Sequence, residues 1–224
     1  MSESKYIAIG DIHGCARSLK ALMVKLKAEQ KLTGRTLVFV GDYIDRGPDS
    51  KGVIDFLLQF SEDQNCIFLR GNHEQMMIDA FEEGDFHLWL MNGGRTTLES
   101  YGNESGDVPE SHKAFIGKTE FYFETDSYFM VHAGAHPGKR LQELKTLPHA
   151  KEYYLWNRDH MNADETPWEK KVVFGHTPVQ EVIHSEDRIG IDTGCVYQRS
   201  GMGKLTAVLL PEEIIIQQDC IDPV

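Results

Sequence analysis

Short apolar runs alternate with stretches of helical period along the first half of the chain. Residues 6–9 read as a strand, after which Leu19, Leu22, Met23 and Leu26 recur at helical spacing. Residues 36–40 predict a second strand, and Val53, Phe56, Leu57 and Phe60 a second helix, with Asp49 or Ser50 placed to cap it. A third strand over 67–69 precedes Met76, Met77, Ala80 and Phe81 on a third helix. Residues 82–120 read as helical and irregular. From Phe121 onward strands dominate, at 128–131, 172–174, 182–184, 189–191, 205–210 and 214–217. The first half therefore predicts βαβ units, and the second half implies a second sheet: an α/β sandwich.

Composition narrows this little. The 224 residues are 41% apolar and 26% charged, as expected for a folded chain, and the length fits a single domain over 1–224. No run approaches the roughly 18 apolar residues of a membrane span, so no membrane association is expected. Residues 1–6 lack the apolar core of a signal peptide, so export is not expected and a cytoplasmic location is. The four cysteines, Cys15, Cys66, Cys195 and Cys220, form no C-x-x-C pair and read as reduced thiols, structural or incidental. Against 23 basic residues stand 35 acidic ones, a net charge of −12, which disfavours generic nucleic-acid binding. Residues 102–110 are the most linker-like stretch, too short to argue a domain boundary.

The chemistry lies where the apolar runs end. The first three strands run into Gly10-Asp11-Ile12-His13-Gly14, Gly41-Asp42-Tyr43-Ile44-Asp45-Arg46-Gly47 and Arg70-Gly71-Asn72-His73-Glu74, and two later ones into His132 and His176. One Gly-Asp turn is ordinarily a turn or a cap, and one histidine ordinarily a satisfied polar residue. Five ligand-bearing turns in one chain are a different matter, because C-terminal strand ends in an open α/β sheet converge on one crevice. Asp11, His13, Asp42, Asn72, His132 and His176 supply mixed imidazole and oxygen donors without thiolate. That set suits two divalent ions about 3.5–4 Å apart sharing a carboxylate and a water, with manganese favoured and iron or zinc also suited.

These turns, GDIHG at 10–14, GDYIDRG at 41–47 and GNHE at 71–74, resemble the signature set of the PPP family of metallophosphatases. Leu155-Trp156-Asn157-Arg158, Phe174-Gly175-His176-Thr177-Pro178, Ile191-Asp192-Thr193-Gly194, and the stretches 71–79 and 89–94 resemble its lambda-phage and bacterial branch. The resemblance runs from about residue 6 to residue 210, departing mildly at His132-Ala133-Gly134. It implies the calcineurin-like two-sheet fold, with Asp11 and His13 on the first metal, Asp42 bridging, and Asn72, His132 and His176 on the second. It further implies that His73 is the general acid, that Asp45 orients it, and that Arg46, Arg70 and Arg158 grip the phosphoryl oxygens.

The activity so implied is hydrolysis of phosphoserine or phosphothreonine, and of phosphotyrosine as a further substrate, in a protein or peptide, by a metal-bridging hydroxide. A symmetrical dinucleoside polyphosphate hydrolase is the alternative of the same chemistry; Glu74 and Asp45-Arg46-Gly47 weigh against it, since such relatives tend to replace the first and lack the second. An inactive metal-binding scaffold is the alternative of another class, disfavoured because acid, orienting carboxylate and arginines are all present.

Overall fold

A computed structural model describes residues 4–102, 107–198 and 201–224; part of the linker-like stretch 102–110 lies outside them. The elements in chain order are β1 (Lys5–Ile9), α1 (Ala16–Ala28), β2 (Arg35–Phe39), α2 (Ser50–Asp63), β3 (Cys66–Phe68) and α3 (Asn72–Glu83). The short α4 (His87–Trp89), a kinked turn (Leu90–Gly94) with Gly93 at φ 107°, α5 (Arg95–Ser100) and α6 (Glu110–Gly117) follow. After them come β4 (Tyr122–Glu124), β5 (Tyr128–Val131), α7 (Leu141–Leu144), α8 (Ala150–Trp156) and a 3-10 turn (Asp159–Asn162). The chain ends in β6 (Lys171–Phe174), β7 (Ile183–His184), β8 (Arg188–Gly190), β9 (Lys204–Leu210) and β10 (Ile214–Asp219).

Two five-stranded sheets result, ordered β10-β9-β1-β2-β3 and β4-β5-β6-β8-β7. β1 pairs with β2, and β2 with β3, in parallel, as βαβ units require. The α/β sandwich is as the pattern predicts, but its strands are shared out differently. β9 and β10 return to the first sheet, β9 lying antiparallel on β1 with Ile7 opposite Leu209. β4, absent from the sequence reading, pairs antiparallel with β5 and completes the second sheet.

The period-2 alternation of strand side chains explains how one sheet serves two cores. Ile7, Ile9, Leu37 and Phe39 point to the cluster that Leu19, Leu22, Val53, Leu57 and Met77 of the helices complete. The intervening Ala8 and Val38 point the other way, onto Met130, Val173 and Ile189 of the second sheet. Phe129, Val131, Val172 and Phe174 then cover the outer face of that sheet against Leu141, Leu144 and Tyr154. The layers are thus helix, sheet, sheet, helix, and each fully buried aliphatic side chain contributes about 1.5–3 kcal/mol.

α2 begins as expected: the Asp49 carboxylate accepts the Gly52 N–H at 2.8 Å, satisfying one of the free donors of the first turn. Among the described residues no helix is long and apolar enough to cross a membrane.

Candidate metal centre and active site

The loops after β1, β2, β3, β5 and β6 meet at the ends of the two sheets. Their backbones are unusual. Seven described non-glycine residues have positive φ, and five of them are His13, Asp42, Asp45, Arg46 and His176. Left-handed backbone at non-glycine residues carries strain that persists where surrounding contacts fix it, and such residues gather at functional sites. Close approach demands glycine beside them: a Cβ on Gly41, at φ 109°, would stand 2.9 Å from Nδ1 of His132, and one on Gly175 would strike the Asp11 carboxylate.

Two groups of donors come within 4.8 Å of one another, His13–Asp42–His73 and Asp42–His132–His176, and they share Asp42. Its Oδ2 lies 3.3 Å from His13 Nε2, and its Oδ1 3.4 Å from His132 Nε2. The orientation of each ring is set from behind. Nδ1–H of His13 donates to the Ile44 carbonyl at 2.9 Å, and Nδ1–H of His132 to the Val40 carbonyl at 3.0 Å. A carbonyl only accepts, so the proton sits on Nδ1 and the lone pair on Nε2, which faces Asp42; metal-binding imidazoles are held in this way. Asn72 Oδ1 lies 3.0 Å from both His132 Nε2 and His176 Nδ1. Asp11 receives the His176 N–H on both carboxylate oxygens, at 3.2 and 3.0 Å.

Electrostatics favour cations here. Burial holds His13 and His132 below the usual imidazole range and His176 down to about 2, so all three stay in the neutral, ligating form. Burial and the neighbouring charges of Asp192 and Asp42 push Asp11 well above the usual carboxylate range. A crowded set of carboxylates with neutral imidazoles is a site whose repulsion a divalent ion relieves. Nε2 of His73 is buried without a hydrogen-bond partner, on the side of the ring that faces Asp42. The residues present therefore fit a divalent metal centre, with Asp42 between its two halves.

His73 differs from the other three. Burial pulls its pKa down, but the Asp42 charge and the hydrogen bond to Asp45 outweigh it, leaving the ring above the usual range. Nδ1 meets Asp45 Oδ2 at 2.6 Å, and Nε2 stands 3.9 Å from Asp42. Asp45 is itself held, accepting Nε1–H of Trp89 at 2.9 Å and the Thr97 hydroxyl at 2.6 Å. Neither Trp89 nor Thr97 was given a role by sequence; the signal available for Trp89 was its place in the stretch 89–94 that carries the resemblance. Glu74, fully buried, accepts the N–H groups of Gly71, Asp42 and Tyr43 at 2.8–2.9 Å, tying two ligand loops together. Asp192 also joins the site, buried and pushed up to about 7 by that burial.

The arginines divide. Arg46 places Nη1 2.7 Å from His13 Nε2 and stacks its guanidinium over Tyr197 at 5.7 Å, while its own N–H donates to the Gly93 carbonyl of the kinked turn at 3.2 Å. Arg158 is exposed and close enough for its charge to lower the pKa of both His176 and Asp192. Arg70 is engaged by the protein itself. Its guanidinium donates to the Thr119 hydroxyl, Gln75 Oε1 and the carbonyls of Gly117 and Thr119, so it pins α3 to the end of α6.

The same chain matches the model of calcineurin-like phosphoesterases over residues 4–201. The chain belongs to the calcineurin-like phosphoesterase family. It is 31% identical to an asymmetrical bis(5'-nucleosyl)-tetraphosphatase PrpE of Oceanobacillus iheyensis, over 92% of this chain and 88% of that protein. It is 32% identical to serine/threonine-protein phosphatase 1 of Salmonella typhimurium, over 84% of this chain and 86% of that one. A solved structure of a Saccharomyces cerevisiae protein serine/threonine phosphatase shares the fold at a TM-score of 0.65 and 17% identity, covering 98% of this chain and 81% of that one. A metal-dependent phosphoesterase is therefore the function that the family and the donor set give together.

Proposed function

We propose that this phosphoesterase acts on dinucleoside polyphosphates, releasing a nucleotide. The observation that carries the reading is an open groove at Arg46, lined by Met91, Asn92, Gly93, Val196, Tyr197 and Val224. Met91 is 74% exposed and the Tyr197 ring lies against Arg46, so an apolar and aromatic surface adjoins the cation that would hold a phosphoryl group. Stacking on such a surface contributes about 1–3 kcal/mol per base. The similarity to the Oceanobacillus tetraphosphatase supports the same reading. Glu74, which sequence weighed against this reading, braces backbone amides of two ligand loops, a task that any substrate would need.

Two divalent ions, with manganese favoured, would be held by Asp11, His13, Asp42, Asn72, His132 and His176, and would supply Lewis acidity and acidify water. The chain's own part is distinct. Arg46 and Arg158 bind phosphoryl oxygens, planar guanidinium being suited to paired contacts. His73 holds a proton at Nε2 for the leaving oxygen, and Asp45, Trp89 and Thr97 keep that ring in place.

A second reading, phosphoserine and phosphothreonine hydrolysis, is favoured by the His73–Asp45 pair, because a serine alkoxide leaves only with a proton. The similarity to the Salmonella phosphatase supports it. Rates on diadenosine tetraphosphate and a phosphoserine peptide, measured side by side for wild type and Tyr197→Ala, separate the two. The nucleotide reading expects faster turnover of the dinucleotide and a KM raised about tenfold by the substitution, with p-nitrophenyl phosphate unchanged. Faster turnover of the peptide, indifferent to Tyr197, would establish the second reading instead.

A further inference from the structure

Three of the four cysteines, remote in sequence, come together in a group that shares no residue with those around Asp42. Cys15 precedes α1, Cys195 follows the Asp192–Gly194 turn, and Cys220 follows β10. Their sulfurs lie within 4.8 Å of one another. Cys15 and Cys195 are buried and Cys220 is half-buried, which leaves an entry from solvent.

The backbones carrying them are fixed independently of any ligand. Asp222 accepts the N–H groups of Arg17 and Ser18 at 3.0 and 2.9 Å, clamping the last segment to the first turn of α1. Ile221 N–H donates to the Ser18 hydroxyl at 2.9 Å, and Cys220 N–H to the Gly203 carbonyl at 2.7 Å. Cys15 N–H donates to the Ile12 carbonyl at 3.1 Å. A site whose donors are already positioned loses little ordering entropy when a ligand enters.

Three chemistries suit gathered thiols: apolar packing, a disulfide, or a soft metal. A cysteine packs as a small hydrophobe, but that calls for no meeting of three sulfurs. A disulfide would use two and leave the third. Thiolate–metal bonds of about 2.3 Å put neighbouring sulfurs about 4 Å apart, within reach of the observed spacing. Zinc prefers four ligands, whereas among the described residues this group has three, with no imidazole or carboxylate in it. Soft thiolates select cuprous ion.

We propose that Cys15, Cys195 and Cys220 form a three-thiolate site for a thiophilic monovalent cation of the cuprous class. Three S–H protons pass to solvent as three copper–sulfur bonds form, and no electron is transferred. The site is separate from the phosphoesterase centre, whose donors are nitrogen and oxygen. It sits against it, however, Cys15 following His13-Gly14 and Cys195 following Asp192-Thr193-Gly194.

The test titrates the reduced full chain with Cu(I) under ascorbate, against bicinchoninate as competitor. It reads retained copper and the ultraviolet thiolate-to-copper charge-transfer absorption, which the thiol-free phosphoesterase centre does not give. One copper per chain is expected. Cys220→Ser should weaken binding at least about tenfold, since even outer contacts of a metal site are worth 10–100-fold, while Cys66→Ser should leave it unchanged. If Cys220→Ser fails to fold, alkylation of Cys220 in the wild-type chain, counted by mass spectrometry, replaces it, and bound copper should block the reaction. Absence of the absorption, equal binding by a folded Cys220→Ser, alkylation indifferent to copper, or loss of free thiols to a disulfide without copper retained would each overturn the proposal.

Discussion

Single side chains of this site differ in what they are held by, and substitutions should separate them. His73 is the imidazole whose pKa stands above the usual range, with Asp45 behind it and an unpartnered Nε2 in front. General acid catalysis is typically worth about 10²–10⁴ in rate. His73→Asn should lose that much on a phosphoserine peptide and clearly less on p-nitrophenyl phosphate, whose leaving group needs no proton; equal losses with metal content unchanged would make His73 a positioning residue. Asp42→Asn removes the charge between the two donor groups, and repulsion between bound cations then goes unscreened. Elemental analysis should find the metal content reduced, and turnover should be abolished in a chain that still folds. Arg70→Met is the contrasting case. It deletes hydrogen bonds that pin α3 to α6, and hydrogen bonds from charged donors are worth about 1.5–3 kcal/mol in total stability. Urea denaturation should register that loss while kcat on p-nitrophenyl phosphate changes little; a large fall in kcat with stability intact would restore Arg70 to the phosphate grip.

At the scale of elements, the segment from α4 through α5 acts as a brace. α4 contributes Trp89 and α5 contributes Thr97 to Asp45, and the kinked turn between them, where Gly93 takes φ 107°, offers the Gly93 carbonyl to Arg46. That left-handed glycine lets the chain turn between two helices that grip one loop. Trp89→Phe keeps the packing and removes the N–H. It should reduce kcat on the phosphoserine peptide while leaving KM and metal content near wild type, because Asp45 then holds His73 less firmly. A variant identical to wild type in kcat would show that Thr97 suffices. The cap of α2 is purely local: Asp49→Ala should destabilise by about 1 kcal/mol in urea without touching kcat.

On the scale of the molecule, five loops drawn from both sheets supply the donors, so the centre forms only when the two sheets pack. Divalent ions that bind the folded chain alone should therefore raise its melting temperature. The stabilisation expected is about 2.7 kcal/mol at a hundredfold excess over Kd, and a chelator should remove both that gain and the activity. Melting unaffected by manganese, or full activity in metal-stripped protein, would contradict a centre built across the sheets.

The sequence by itself determined the strands and helices of the first half and the α2 cap, and it named six candidate donors, because each is encoded within a few residues: a period, a capping side chain, a ligand type next to a glycine. Thr97 was not legible as a site residue, since nothing beside it in the chain marks it; Trp89 and Asp192 lie in stretches that carry the family resemblance, yet no local pattern there gives the contact that each makes. Arg70 lies beside a motif, and only the structure shows its guanidinium turned to α6, 47 residues onward at Gly117. Tertiary structure also decided that β9 and β10 rejoin β1, because strand period names the faces of a strand and not its neighbour. It gathered Cys15, Cys195 and Cys220 as well. Contacts across some 200 residues arise from packing of the whole chain, which no local pattern records.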